Sequence, residues 1–309
     1  MDAKRRRFLV ELLEDRLVLA GVITQSGYFD TWDGGIIRST DAAGITFHPS
    51  GHMYLADSEI NELPAIFNGD NIFEASPSGD QVYRGIASGN TEPTGITFNE
   101  FDGYFYVTND TGDKFVTRYD SNLNNPLYEF SPLDDVAGAD DPEGITSDPS
   151  TGFRYVTDGR SGDLQVLSYS LDLSNPNEAT RDVSVERSFS VDDQMEDAEG
   201  IAFHEPSGNL FLIDGNQGII FEYTTFGLLV DQYDISDFSP EPSAPQGLTF
   251  GPTSSTSDDP SALSLYIVDG GEDNEPDGGV YEAVIGDGVP ANPLLDIRIL
   301  GDVPYSQEE

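Results

Sequence analysis

The sequence predicts an all-β chain folded as a β-propeller of four-stranded antiparallel blades, and three observations carry that prediction. A motif reading x-Gly-Ile/Leu-Thr/Ala, followed by a second strand ending in Asp or Asn, recurs five times. Its glycines, Gly44, Gly95, Gly144, Gly200 and Gly247, lie 51, 49, 56 and 47 residues apart. That period belongs to propeller arrays rather than to leucine-rich or helical solenoids. Gly (32 residues) and Pro (19) are plentiful, as many short strands joined by tight turns require.

The units occupy residues 41–57, 92–110, 141–158 and 197–214, with a fifth at 244–250 that resumes at 263–269 after an insertion. In each, a short apolar strand is followed by a turn and then by a β-branched or aromatic strand, such as Tyr155-Val156-Thr157 or Phe211-Leu212-Ile213. Third strands follow at Gln165–Tyr169 and Ile219–Tyr223, and a more polar fourth at Val185–Phe189. Inner strands are covered on both sides and read as apolar runs, whereas outer strands alternate because one face is wet. The ring closes as five or six blades. Residues 21–40 supply a strand that can pair with the last blade and remove the exposed edges. A sixth blade needs residues 21–40 and 285–309, yet Leu294–Leu300 reads as the fourth strand of unit five.

Residues 1–20 stand apart from the propeller domain, 21–309. They hold five of the fourteen basic residues, leaving nine for the rest of the chain. The basic start suits a secretory signal, but Glu11, Glu14, Asp15 and Arg16 interrupt the apolar run such a signal needs. No span approaches the ~18 apolar residues of a transmembrane helix. The segment Glu11-Leu12-Leu13-Glu14-Asp15-Arg16-Leu17-Val18-Leu19-Ala20 resembles the LEPR-XLL motif of large exported bacterial proteins, with Asp15 in place of the usual Pro. The resemblance implies a location at the cell surface or outside the cell. A generic basic amphipathic start is the other reading.

Fifty-seven acidic residues against fourteen basic ones give a formal net charge of −43. A field of that sign repels phosphate backbones and argues against nucleic-acid partners. It suits both a solvated, salt-tolerant shell and the local capture of divalent cations. The absence of cysteine excludes disulfides and Cys-ligated metal sites.

In a propeller, the innermost strand of each blade starts by the central channel and the second strand returns to the same face. Two rings of side chains therefore converge on one rim. The residues before the glycines are Ala43, Thr94, Glu143, Glu199 and Gln246; those ending the second strands are Asp57, Asn109, Asp158, Asp214 and Asp269. Crowded carboxylates raise one another's pKa unless a cation joins them. Oxygen ligands of mixed charge suit calcium, or magnesium, rather than zinc or copper. Glu143, Glu199 and Gln246 are the leading metal candidates, with Asp158, Asp214 and Asp269 behind them. Asp at a strand end is also ordinary turn chemistry, and a Glu at a strand start can cap backbone amides. A separate loop places Asp273, Glu275, Asp277 and Gly278 like the start of a calcium loop, but its twelfth position is Val284, so it is no EF-hand. It reads either as a looser calcium loop or as a solvated acidic turn.

The Glu-Gly-Ile and Tyr-Val-Thr-Asp-Gly patterns resemble the six-bladed TolB-like group, which includes NHL-type, gluconolactonase/regucalcin-like, phytase-like and SdiA-regulated propellers. The resemblance spans nearly all of residues 41–285. It implies six blades and metal ligands at the pre-glycine position, which Glu143 and Glu199 match, while Ala43 and Thr94 depart from any ligand pattern. With nine basic residues after residue 20, a phytase-like activity is disfavoured. Two functions stay open. One is an exported, monomeric, calcium-binding interaction module for a protein or matrix partner. The other is a metal-dependent hydrolase of lactone, ester or phosphoester bonds, with Asp158 or Asp214 as general base.

Overall fold

The computed structural model describes residues 21–32, 36–112, 114–131, 139–160, 162–171, 183–255, 262–272 and 275–286. Within them, five four-stranded antiparallel sheets form the blades. A leading strand, β1 (Val22–Asp30), precedes the first complete blade, made of β2 (Ala42–Phe47), β3 (Met53–Asp57), β4 (Ile72–Ala75) and β5 (Val82–Ile86). The second blade is β6 (Pro93–Asn99), β7 (Tyr104–Asn109), β8 (Phe115–Tyr119) and β9 (Pro126–Phe130). The third is β10 (Pro142–Ser147), β11 (Arg154–Asp158), β12 (Gln165–Leu171) and β13 (Val183–Ser190). The fourth is β14 (Ala198–His204), β15 (Asn209–Asp214), β16 (Ile219–Thr224) and β17 (Leu229–Asp234). The fifth takes β18 (Pro245–Pro252), β19 (Leu263–Asp269) and β20 (Gly279–Gly286), and β1 completes it by pairing with β20.

The ring of described residues therefore has five blades, one of the two counts the sequence left open. β1 closes it against the last blade as expected, while two other expectations are corrected. The strand before the first motif is the outer strand of blade five, so it is not available for a sixth blade. The outer position given to Leu294–Leu300 is filled by β1, and 294–300 lies outside the described residues. β1 alternates exposed and half-buried side chains, as a strand with one wet face must, whereas β3 is buried throughout.

The core lies between blades rather than within them. Tyr54 and Ile72 of blade one pack with Ile96, Phe105 and Val107 of blade two, and Tyr106 and Val116 of blade two pack with Ile145, Val156 and Tyr169 of blade three. Burying each such side chain contributes about 1.5–3 kcal/mol. The motif threonine also joins blades. Thr46 Oγ1 accepts the Phe98 amide at 3.2 Å, and Thr146 Oγ1 accepts that of Phe203 at 3.1 Å.

The motif glycine has a steric reason. A Cβ on Gly44 would stand 2.9 Å from Gly95 Cα, one on Gly95 2.6 Å from the Glu143 carbonyl oxygen, and one on Gly144 2.7 Å from Gly200 Cα. On Gly200 it would stand 2.1 Å from the Gln246 carbonyl, and on Gly247 2.3 Å from that of Ala43, which closes the circle. Five inner strands thus meet backbone to backbone, and the channel they enclose holds only about 10 Å³. Gly200→Ala is therefore expected to cost about 3 kcal/mol or more in denaturant unfolding. Gly51→Ala, at a turn with open space around its Cα, should cost only about 1 kcal/mol for its positive φ.

Candidate metal centre

Antiparallel pairing sets the start of each inner strand against the end of the second. Ala42 faces Asp57, Pro93 faces Asn109, Pro142 faces Asp158, Ala198 faces Asp214 and Pro245 faces Asp269. Both predicted rings consequently lie at one mouth of the channel. The two rings do different work.

The second ring is turned into its own blades. Asp214 accepts the backbone amides of Glu196, Asp197, Asn216 and Gln217 and the Gln217 side-chain amide. Asp57 accepts amides of Thr40, Asp41, Glu59 and Ile60 and the Ser39 hydroxyl, and Asp269 accepts those of Ser243, Ala244 and Gly271. Asn109 takes the Glu92 amide through its side-chain oxygen. These residues fasten the segment that enters each inner strand, and all are buried. Asp158 differs: Oδ1 accepts the Asp141 amide, while Oδ2 is buried without a hydrogen bond. Burial, only partly offset by backbone hydrogen bonds, pushes its carboxyl up to about 6.

Apart from buried Ala43, the first ring stays partly open to the mouth. Room for its long side chains comes from the glycine after each Asp. A Cβ on Gly159 would lie 2.7 Å from Glu143 Cγ, one on Gly215 2.9 Å from Glu199 Cγ, and one on Gly270 3.1 Å from Gln246 Nε2. The three blades that carry Glu, Glu or Gln before the motif glycine are the three that carry Asp-Gly, whereas the Ala43 and Thr94 blades have Ser58 and Asp110 at that place. The Asp-Gly pairs are therefore more than turn chemistry. Threonines fix the Glu backbones: Thr108 Oγ1 donates to the Glu143 carbonyl at 2.6 Å, and Thr157 Oγ1 to that of Glu199 at 2.5 Å.

Asp110 stands where three blades have glycine, and this builds a dense acidic cluster. Carboxylate oxygens of Asp110, Asp141 and Glu143 lie within 4.8 Å of one another. Lys114 is drawn between two of them, with Nζ 2.9 Å from Asp110 and bonded to Asp141. It is the sole lysine after residue 20, and its backbone is left-handed, at φ 47. Asp110, Asp141 and Lys114 were not among the residues expected from the sequence. A signal existed two places before the motif glycine's neighbour, where Asp41, Glu92, Asp141 and Asp197 make a third acidic ring on the same side of the strand.

Charge crowding governs the mouth. Burial first, then the charges of Glu199, Asp110, Asp141 and Asp197, hold Glu143 well above the usual carboxylate range. Burial, Asp197, Asp141 and Asp110 push Glu199 up to about 8. Burial would raise Asp141 as well, but its hydrogen bonds with Lys114 and Asp110 bring it below its ordinary value, while Asp110 stays raised. Gln246 lies along Gly270 of its own blade. In the separate acidic loop, Asp277 accepts the Glu272 amide at 3.1 Å, and Asp273 lies outside the described residues. Of the three histidines, His48 and His52 lie in the β2–β3 connection and His204 ends β14.

No protein-family model matches the chain, and no curated protein matches it. Solved β-propellers do. A protein from a nidogen/laminin complex is 15% identical over 81% of this chain and 86% of its own, with a TM-score of 0.46. A gluconolactonase from Xanthomonas campestris is 10% identical over 80% and 87%, at 0.45. A virginiamycin B lyase from Staphylococcus aureus is 15% identical over 78% and 65%, at 0.43. These are likenesses of fold, and the chemistry of the mouth is read from this chain's own residues.

A carboxyl whose folded-state pKa is raised gives its full stability below its unfolded value and loses it as the pH climbs to the folded one. For Glu199 that window runs from about 4.5 to about 8. With chelator present, wild type should therefore lose about 2 kcal/mol relative to Glu199→Gln across this window, read from thermal melts at each pH.

Proposed function

We propose that the protein is an exported, acidic, calcium-binding β-propeller that acts as a binding module, its cation centre made by Glu143 with Asp110 and Asp141. The observation that carries this is the convergence of three carboxylates on one point already shared by an ammonium group. An all-oxygen donor set without His or Cys fits a hard cation, and calcium accepts irregular carboxylate geometry more readily than magnesium, which demands a near-ideal octahedron. Bound there, the cation supplies a positive anchor in an acidic rim, to which an anionic group of an extracellular protein or matrix partner can attach. The LEPR-XLL-like stretch at residues 11–20 supports export.

A second reading, hydrolysis of lactone, ester or phosphoester bonds, is favoured by one observation. Glu199 is partly open and holds its proton up to about 8, so it can exchange one near neutral pH. Asp158 and Asp214 are less suited to the role of base because both are fully buried.

Calorimetric titration of chelated protein should show calcium binding that Glu143→Gln weakens at least about tenfold and Lys114→Met strengthens about tenfold, since the metal no longer displaces an ammonium. At neutral pH, binding should release about one proton, seen as a dependence on buffer ionisation enthalpy. Absence of binding in both wild type and Lys114→Met rejects the cation centre. Turnover of a lactone or ester panel that is lost in Glu199→Gln establishes the hydrolase reading instead.

A further inference from the structure

We propose that the depression at the centre of the opposite face binds an organic ammonium group. It is an open cavity of about 270 Å³ at the far ends of the inner strands. Four of the five strands turn a phenylalanine into it: Phe47, Phe98, Phe203 and Phe250. Each ring is half-exposed and braced from behind by another aromatic. Phe47 rests on Tyr266 at 4.9 Å between centroids, Phe98 on Phe105 at 4.9 Å, Phe250 on Phe211 at 5.0 Å and Phe203 stacks on Tyr155 at 6.2 Å. The aromatic walls are thus in place before a ligand arrives, with His48 and His204 also packed 4.4 Å from Phe98 and Phe250, and the electron-rich faces of such rings attract a soft, weakly hydrated cation.

The fifth strand breaks the pattern. β10 places Ser147 where the others have Phe, with its hydroxyl 3.3 Å from that of Thr97. On this side the rim carries Glu100 and Glu205. Burial and the nearby charges of Glu100 and Asp148 raise Glu205, so these carboxylates feel one another. No Lys or Arg lines the cavity among the described residues. His48, which does line it, is pushed below its ordinary pKa by burial and adds no positive charge at neutral pH. An aromatic box with an acidic rim attracts ammonium and repels anions, and a neutral apolar ligand leaves the rim charge unused. The plugged channel separates this site from the calcium centre.

A neighbouring cavity of about 400 Å³ shares Pro149, Phe203 and Glu205 with this one, and there Arg187 lies over Phe226 at 3.9 Å. That extension gives space for the remainder of a larger ligand, so the ammonium group has two sources, a free small amine or a lysine-type side chain of a peptide.

Choline and its neutral isostere 3,3-dimethylbutan-1-ol test the proposal by calorimetry and ligand-detected NMR at physiological salt and saturating calcium. Choline should bind at least about tenfold more tightly than the alcohol. Glu100→Gln with Glu205→Gln should weaken choline about tenfold, Phe98→Leu should weaken it, and Phe98→Tyr should retain it. Glu143→Gln should leave choline binding unchanged. A trimethyllysine peptide that binds more tightly than choline assigns the group to a protein partner, and the reverse order to a small amine. Equal binding of choline and alcohol, no binding of choline or peptide, an unchanged double variant, or loss in Glu143→Gln overturns the proposal.

Discussion

Five inner strands approach the axis so closely that no side chain fits where they meet. An added Cβ at any motif glycine would strike backbone of the next blade, between 2.1 and 2.9 Å away. That contact fixes the spacing of the blades, and the spacing leaves a channel of about 10 Å³, room for roughly one water. A propeller so tightly closed cannot pass a ligand along its axis. Its two faces become separate surfaces, one acidic and one aromatic, each built from the residues just before or just after the same glycine-centred strand.

Position within that strand decides chemistry. The residue before the glycine is the last whose side chain can lie in the mouth, and it does so only where the neighbouring turn gives way, at Gly159, Gly215 and Gly270. The residue at the strand's far end points into the opposite depression, where bulk is welcome and phenylalanine fills four places of five. Between these ends, the threonines bond to the adjacent blade. One repeat therefore encodes closure, a polar rim and an apolar rim at once.

Much of this was legible in the sequence because it repeats. The glycine period gave the blades, and the antiparallel return of the second strand gave the two converging rings at their correct face. The blade count was not legible, since β1 has no motif and its role depends on which partner strand lacks an outer neighbour. The site was legible in part. Glu143 and Glu199 stand out by their place before glycine, and the second-ring aspartates stood behind them as weaker ligand candidates. Their carboxylates are instead engaged by backbone amides, a pairing that sequence cannot display. Asp110 and Lys114 escaped notice because their importance arises between blades: Asp110 belongs to blade two and meets Glu143 of blade three.

That meeting explains why the mouth is asymmetric. With glycine after the second-ring residue, a blade offers only its own pre-glycine side chain. With Asp110 there, blade two gives up a long side chain of its own at Thr94 and adds its carboxylate to the neighbour's. Thr94 and Thr108 then bond to the Glu143 backbone rather than to solvent, so the blade without a long pre-glycine side chain also positions its neighbour's. Three carboxylates held this close demand a positive partner. The chain supplies one in Lys114, on a left-handed backbone that costs about 1 kcal/mol for a residue with a Cβ. A tethered ammonium keeps the cluster intact when no metal is present, and it can be displaced by a divalent ion, which carries twice its charge and can be contacted by several oxygens at once. A divalent cation taken up there would have to displace the lysine, and the free energy that separates the two would set the cation concentration at which it does so.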